Sequence, residues 1–369
     1  MAGIVAAVLV AQYLIYKNLG LKNVTYKLTI SKNEAFENDE IEVIEEIENN
    51  KWLPLPWMRS EISCSRWLSF YGGSQSVGKD AQKGLVSGVF MLKGHQKLRR
   101  TWRVRCEKRG VFRIEDITLS VSDLFGLVKP SMMFRTQEEI CVLPSPCDMQ
   151  MNGLSTEEFM GEQSVQRFIL PDPFMISGAK EYTGREPMNR IHWAQSARTS
   201  SLMVYNNEFT TERRMLVLLN MQRVQADESI RLSVTALEAQ IKAAAFALDY
   251  CYREHIAVGF AINGADSIVI PAAEGYEHTL GIVRMLARLR NRCGCHIDEF
   301  VDRLDMSQYT DIIFITDFVS DKCGELMRRL MQSGKRAVLF SNEIDETGYC
   351  CVCHVPRTRT YPNESGDDE

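Results

Sequence analysis

Met215-Leu-Val-Leu-Leu219 is an unbroken apolar run closed by Asn220. So short a run without a polar break suits a strand covered on both faces, as in a parallel sheet. Three similar runs follow: His255-Ile-Ala-Val-Gly-Phe-Ala-Ile262, Asp311-Ile-Ile-Phe-Ile-Thr316 and Lys335-Arg-Ala-Val-Leu-Phe340. Between them the period changes to that of a helix. Within Ser229 to Arg253, Leu232, Val234, Leu237, Ile241, Ala244, Ala245 and Leu248 gather mostly on one side. Tyr276 to Arg292 and a stretch from about Ser320 to Ser333 read as two further helices. Strands alternating with helices imply right-handed crossovers and a mainly parallel sheet, an α/β domain over residues 212–342. A site in such a sheet lies at the carboxyl ends of its strands, here marked by Asn220, Asn263 and Asp317. For Asp317 an N-cap role is the simpler expectation, and an oxygen ligand to a divalent cation is the alternative.

Upstream, residues 23–145 change to period two. Val24-Thr-Tyr-Lys-Leu-Thr-Ile30, Ile41-Glu-Val-Ile-Glu-Glu-Ile47, Trp102-Arg-Val-Arg-Cys106 and Val111-Phe-Arg-Ile114 alternate, with turn formers such as Glu37-Asn-Asp39 and Gly72-Gly73 between runs. Short strands at close spacing predict an antiparallel β-sandwich, with Trp52, Trp57 and Trp67 in its core or at its edge. Val142-Leu-Pro-Ser-Pro146 marks its end. Residues 146–211 read as a connecting segment and residues 343–369 as a C-terminal tail, mobile from Arg357 to Glu369.

Met1 to Tyr16 carries no charged side chain. A helix over residues 1–21 would be about 31 Å long, near the hydrocarbon thickness of a bilayer. Basic residues come after the run (Lys17, Lys22, Lys27, Lys32) rather than before it, which argues against a signal peptide. The same order puts the following chain on the cytoplasmic side. The expectation is a single membrane anchor helix at the cell membrane, with a buried soluble helix as the rival.

The whole chain has 369 residues, 45% hydrophobic and 25% charged, so it is neither disordered nor fibrous. A net charge of −5 gives no global reason to expect nucleic acid as a partner. The 11 cysteines are an odd number in a long chain, so reduced thiols are the default. Cys293-Gly-Cys295-His296 and Cys350-Cys351-Val-Cys353-His354 nonetheless hold ligand types that suit zinc. Neither has C-x₂-C spacing, and buried or half-buried free thiols are the simpler reading. No phosphate loop, dinucleotide fingerprint, nucleophile elbow or H-E-x-x-H is present, so no cofactor and no small-molecule substrate are expected.

The connecting segment holds Tyr182, Arg185-Glu186-Pro187, Arg190-Ile191-His192-Trp193 and Ser196-Ala197-Arg198. By chemistry it is either a docking loop whose arginines pair carboxylates or a strap whose Trp193 packs into the α/β core. Lys108-Arg-Gly-Val-Phe-Arg113 and Ser122-Asp-Leu-Phe-Gly-Leu127 lie upstream. In combination these elements resemble the signature of domain-of-unknown-function family fifty-eight, from about residue 24 to residue 342. One departure is Arg185-Glu186 where the family has Gly-Asp. The resemblance implies a membrane protein with an N-terminal hydrophobic hairpin, a β-rich domain and a von Willebrand factor A-like domain. It also implies a protein partner, plausibly a MoxR-type AAA ATPase, in assembly or regulation of envelope complexes. Tyr182, Glu186, Arg190, Trp193 and Arg198 would then be the binding residues of the signature. An adhesion-type cation site would want Asp-x-Ser-x-Ser after the first strand of the A-like domain. Asn220, Gln222 and Val224 stand there instead, and only Asp317 matches the later acidic position. A cation there would lack most of its charge compensation, so metal-independent partner binding is expected.

The leading expectation is therefore a membrane-anchored, non-enzymatic interaction or scaffold protein of α+β multidomain class. The alternatives are a metal-dependent hydrolase using Asp317 and His192, and a metal or redox sensor built on Cys293, Cys295, Cys351 and Cys353.

Overall fold

A computed structural model of the chain describes residues 2–77, 83–123, 125–146, 176–182, 188, 191–199, 201–207, 213–222, 234–317, 321–341 and 352–354. It is a sheet-rich α+β architecture of several units.

The chain starts with α1 (Ala2–Leu19). The helix stops where Gly20 donates its N–H to the Tyr16 carbonyl at 2.9 Å. Where a helix over 1–21 was expected, the described helix has 18 residues, or about 27 Å. Its last turns are also held by the body of the protein. The Tyr16 hydroxyl donates to the Pro54 carbonyl at 3.1 Å, and the Gln12 amide reaches Asp123 Oδ2 at 3.3 Å. Among the described residues no helix is long and apolar enough to cross a membrane.

Ten strands follow: β1 (Val24–Ile30), β2 (Glu34–Phe36), β3 (Glu40–Asn49), β4 (Leu55–Ser65), β5 (Leu68–Phe70), β6 (Ser74–Val77), β7 (Lys83–Leu92), β8 (Gln96–Cys106), β9 (Gly110–Ser122) and β10 (Ser131–Leu143). They form a four-stranded sheet, β1-β3-β8-β5, and a six-stranded sheet, β2-β10-β9-β4-β7-β6. Alternation decides which side chains meet between them. Ile41, Val43 and Ile47 point inward from β3 and join Met58, Ile62, Trp102, Val104, Leu119 and Val121 in one core. One pairing departs from the antiparallel expectation: β2 runs parallel to β10.

The buried tryptophan is Trp102, not the three expected from sequence. Trp52 and Trp57 are exposed, and Trp67 is half-buried beneath the cations of Arg66 and Lys108. Trp102 earns its place through a polar partner, because an indole N–H in a core needs an acceptor. Glu45, on the inward face of β3, supplies it at 3.0 Å and also accepts from the Tyr26 hydroxyl at 3.0 Å. Burial, and then the neighbouring Glu45, push the Tyr26 phenol up.

A two-stranded sheet, β11 (Ile176–Glu181) with β12 (Met203–Asn207), encloses the short helix α2 (Trp193–Thr199). The α/β unit then holds β13 (Arg214–Leu219), α3 (Val234–Arg253), β14 (Ala257–Ile262), β15 (Val269–Ala273) and α4 (Tyr276–Arg288). It continues through α5 (Ile297–Arg303), β16 (Asp311–Thr316), α6 (Asp321–Gln332), β17 (Arg336–Ser341) and β18 (Val352–His354). The sheet order is β15-β14-β13-β16-β17-β18, parallel except for the edge strand β15. Core residues lie on both faces: Val217, Phe260, Ile315 and α3 on one side, Leu218, Phe314, Leu330 and Leu339 on the other. Within the expected tail, β18 extends the sheet beside β17, and Arg357 to Glu369 lie outside the described residues.

The two large units meet at the end of the sandwich that carries the Arg109-Gly110 turn. Arg109 is buried there, with its Nε 2.8 Å from Glu238 Oε2 on α3. Its NH1 donates to the carbonyls of Leu286 at 3.0 Å, Ala287 at 3.3 Å and Leu289 at 3.3 Å. One guanidinium so satisfies the orphan carbonyls at the end of α4 and complements its negative pole. Gly110 follows at φ 147°, where a side chain would be strained. Around this tie, Lys242 pairs with Glu37 at 3.0 Å, Arg284 grips Glu34 with two contacts of 2.7 and 2.9 Å, and Cys141 and Leu143 pack on Ala287.

Candidate functional site

The order of the α/β sheet reverses direction between β13 and β16, and the crevice at their carboxyl ends is where ligands usually bind in such folds. Asn220 stands there directly after β13, Asn263 after β14 and Asp317 after β16. The backbone brings them together: Asn220 donates its N–H to Ile315 at 2.8 Å, prolonging the β13–β16 ladder by one step.

Asn220 and Asn263 are fully buried, and their amides satisfy each other. Asn263 Nδ2 donates to Asn220 Oδ1 at 3.0 Å and to the Cys295 carbonyl at 3.2 Å. Asn220 Nδ2 donates to Thr316 Oγ1 at 3.2 Å, bridging the switch between β13 and β16. Asn220 Oδ1 also accepts from Gln222 N–H at 3.0 Å, and Asn263 Oδ1 accepts from Met221 N–H at 2.6 Å. Gln240, on α3, closes the back. With its amide oriented to satisfy both neighbours, it donates to the Asn220 carbonyl at 3.3 Å and accepts from the Asp317 N–H at 2.5 Å. The result is a neutral plug of amides and one hydroxyl.

Gln222 works at the rim. Its Oε1 accepts from Ile297 N–H at 3.0 Å at the start of α5, and its Nε2 lies 3.1 Å from His296 Nδ1. Asp317 is half-buried. The following helix, α6, is described from Asp321, and residues 318–320, on which the N-cap expectation turns, lie outside the described residues. Val224 lies outside the described residues.

Cys293 and Cys295 fold against the same strand end. Gly294 between them donates to the Asn263 carbonyl at 2.9 Å, and a Cβ there would stand 2.2 Å from the Gly264 carbonyl, so only glycine fits. The Cys293 thiol donates to the Cys295 carbonyl at 3.3 Å, and burial pushes it up, away from the thiolate a metal would need. Cys295 faces Ser267 Oγ at 3.7 Å. Cys350 and Cys351, and the side chain of Cys353, lie outside the described residues. Among the described residues no three His, Cys, Asp or Glu converge as metal ligands.

Of the two expectations for the signature segment, the strap with a core-packed Trp193 is corrected. Trp193 does not pack into the α/β core; it opens α2 and is 66% exposed, and Arg198 is exposed in the last turn. His192 Nδ1 accepts the Gln195 N–H at 3.2 Å, capping α2. Ser196 ties the helix to β12, accepting from Met203 N–H at 2.8 Å and donating to the His192 carbonyl at 2.9 Å. Tyr182 is half-buried and donates its N–H to Leu202 at 2.8 Å. Glu186 and Arg190 lie outside the described residues. Two working residues escaped the sequence reading. Arg109 was visible only as part of the Arg-Gly element, and Gln240 looked like any polar helical position.

No curated protein matches the chain. Among solved structures, the CARDB domain of a Pyrococcus furiosus protein aligns at 11% identity, covering 32% of this chain and 91% of its own, with a TM-score of 0.21. The sporulation control protein Spo0M of Bacillus subtilis aligns at 12% identity over 32% of this chain and 49% of its own, with a TM-score of 0.19. A non-cellulosomal cohesin from Archaeoglobus fulgidus aligns at 14% identity over 30% of this chain and 90% of its own, with a TM-score of 0.20. Likenesses this slight carry no inference about fold or function. The family comparison is more direct: residues 179–346, from the β11–β12 unit through β17, match the family described as "Protein of unknown function DUF58".

Proposed function

We propose that the protein works by contact rather than by turnover, as a scaffold whose α/β unit presents its strand-end surface to a protein partner. The observation that carries this reading is the amide plug. A catalytic or cation-binding crevice keeps charged or open positions at the switch point, and here the amides of Asn220 and Asn263 are committed to each other and that of Gln240 to the Asn220 carbonyl and the Asp317 N–H. The order β15-β14-β13-β16-β17-β18, with its antiparallel edge strand, supports a von Willebrand factor A-like unit whose cation cradle has been replaced. A hydrolase built on Asp317 and His192 has less support, since His192 Nδ1 serves as the cap of α2.

The partner we propose is a MoxR-type AAA ATPase, the one the family resemblance implies, with the protein held at the cell membrane through α1. Support for the membrane comes from the exposed Ile4, Val8, Val10 and Leu14 on that helix. Apolar side chains on so much of a helix want an apolar surrounding. The lysines after it favour a cytoplasmic body.

A photoreactive residue at His296, exposed at the rim of the plug, tests the contact reading in solubilised membranes. The expected result is a crosslink to the ATPase that persists in chelator, with none from the same group at Arg253 on the far side. Equal crosslinking from both positions, or loss on chelation, would overturn it.

A further inference from the structure

The two ends of the β-sandwich differ in chemistry. One end holds the α/β unit. At the other, the topology collects four connections. The β1–β3–β8 register places Val24 beside Asn49 and Asn49 beside Gln96. The β4 register places Leu55 beside Leu92 and Trp57 beside Ser122. The α1–β1, β3–β4, β7–β8 and β9–β10 connections therefore share one end. Side chains tie them to α1: Tyr16 to Pro54, Gln12 to Asp123, and Lys51 Nζ to the Lys22 carbonyl at 2.8 Å.

This end exposes large apolar side chains that a water-facing loop would not choose. Trp52 is 71% exposed, Trp57 58%, Phe125 64% and Leu127 57%. Lysines stand among them: Lys17, Lys22, Lys93 and Lys129 are exposed, and Lys51 is half-buried. The acid in these connections, Asp123, is buried and accepts the Val128 N–H at 3.0 Å. Exposed aromatics ringed by lysines, with no exposed carboxylate among residues 17–23, 50–54, 93–96 and the described part of 123–133, match the headgroup layer of a bilayer. A protein partner of ordinary composition would want carboxylate acceptors interleaved with the apolar patch for its own cations. An anionic lipid surface needs none.

We propose that this end of the sandwich is a docking surface for an anionic phospholipid bilayer. Trp52, Trp57, Phe125 and Leu127 enter the interface, while Lys22, Lys93 and Lys129 face the lipid phosphates. The inference rests on the membrane reading of α1 for proximity and adds a lipid preference that α1 alone does not give. With strands of 10 to 13 residues, the sandwich would then act as a spacer, holding the α/β unit roughly 35–40 Å from the headgroups.

Flotation of the full chain with vesicles tests it, using phosphatidylcholine alone or with about a quarter phosphatidylglycerol. The expected result is stronger binding to the anionic vesicles. The triple variant Lys22→Glu, Lys93→Glu, Lys129→Glu should weaken that binding at least about tenfold and leave the neutral vesicles unaffected. Acyl-brominated lipid should quench the fluorescence that Trp52→Phe and Trp57→Phe remove. If charge reversal changes nothing and those tryptophans escape quenching while the protein still floats, α1 alone makes the attachment and the docking surface is refuted. The variant Ile4→Asp, Val8→Asp separates the two readings. Loss of neutral binding only supports both, whereas flotation unchanged on every vesicle overturns the α1 reading and leaves the docking surface standing. A folded protein that floats with no vesicle refutes both.

Discussion

Two of the buried polar clusters among the described residues are built on opposite principles. At the junction of sandwich and α/β unit, Arg109 and Glu238 are ionised partners contributed by different units, and the guanidinium also gathers three helix-end carbonyls. At the strand ends, Asn220, Asn263, Gln240 and Thr316 are neutral and belong to one unit. A buried charge is tolerable only beside its counter-charge, so the first cluster exists only when both units are in place. Neutral amides pair locally, so the second is complete without anything arriving from outside. The first cluster is a fastening and the second a filling.

The largest effect should come from breaking the fastening. Arg109→Ala takes from buried Glu238 its closer cation, leaving the Lys108 ammonium at 4.0 Å, and uncaps α4; it is expected to cost about 3 kcal/mol, read as a lowered midpoint in chemical denaturation. A volume-conserving pair, Arg109→Met with Glu238→Leu, should recover most of that loss. If the single substitution leaves the midpoint unmoved, the junction does not couple the units.

Next in size is a charge placed in the filling. Asn220→Asp places a carboxylate among buried neutral amides, where an adhesion-type site would carry its first acid. Burial raises the carboxyl above its unfolded value of about 3.9. The penalty is therefore absent at low pH, grows as pH rises through about 4, and levels off above the raised folded value, at about 1.4 kcal/mol for each unit of the shift. Thermal melts of variant and parent should converge near pH 4 and separate by pH 7. Magnesium should not close the gap, because Gln222 stands where a hydroxyl ligand is needed and only Asp317 would add charge. A magnesium-dependent recovery would show that the cradle still binds a cation.

How far the sequence foretold these clusters depends on how local each signal is. The strand runs from Met215, from Asp311 and around Ala257 to Ile262 were legible because full burial writes itself as uninterrupted apolar residues. Asn220 and Asn263 were legible as positions, since each ends such a run. That they bond each other was not, because the pairing spans 43 residues. The tryptophans misled for a related reason. Trp102 sits in an alternating strand no different from its neighbours, and what buries it is Glu45, 57 residues away. Trp52 and Trp57 were assigned to a core or its edge by size alone, and size does not tell a core from an interface. The anchor over 1–21 was read from hydropathy, which cannot see Gln12 and Tyr16 reaching back to Asp123 and Pro54.

Removing one amide from the filling should cost less than either change above. Asn263→Ala strands the Met221 N–H and one lone pair of Asn220, both buried, for about 1–3 kcal/mol. Hydrogen exchange should show the loss at the β13–β14 strand ends rather than throughout the unit.

The smallest effect sharpens the comparison from the other side. Arg284 and Glu34 also join the two units, with two contacts as short as those of Arg109, yet both side chains are about 40% exposed. Water already solvates these charges, so Glu34→Gln should cost only about 0.2–1 kcal/mol and less in high salt. Arg109 and Arg284 thus both make ion pairs across the same junction, and Arg109 differs in being buried and in gathering three carbonyls besides. A double-mutant cycle for each pair, at low and at high salt, measures what burial adds. If the Arg284–Glu34 coupling equals that of Arg109–Glu238 and resists salt, then proximity rather than burial sets the strength of the fastening.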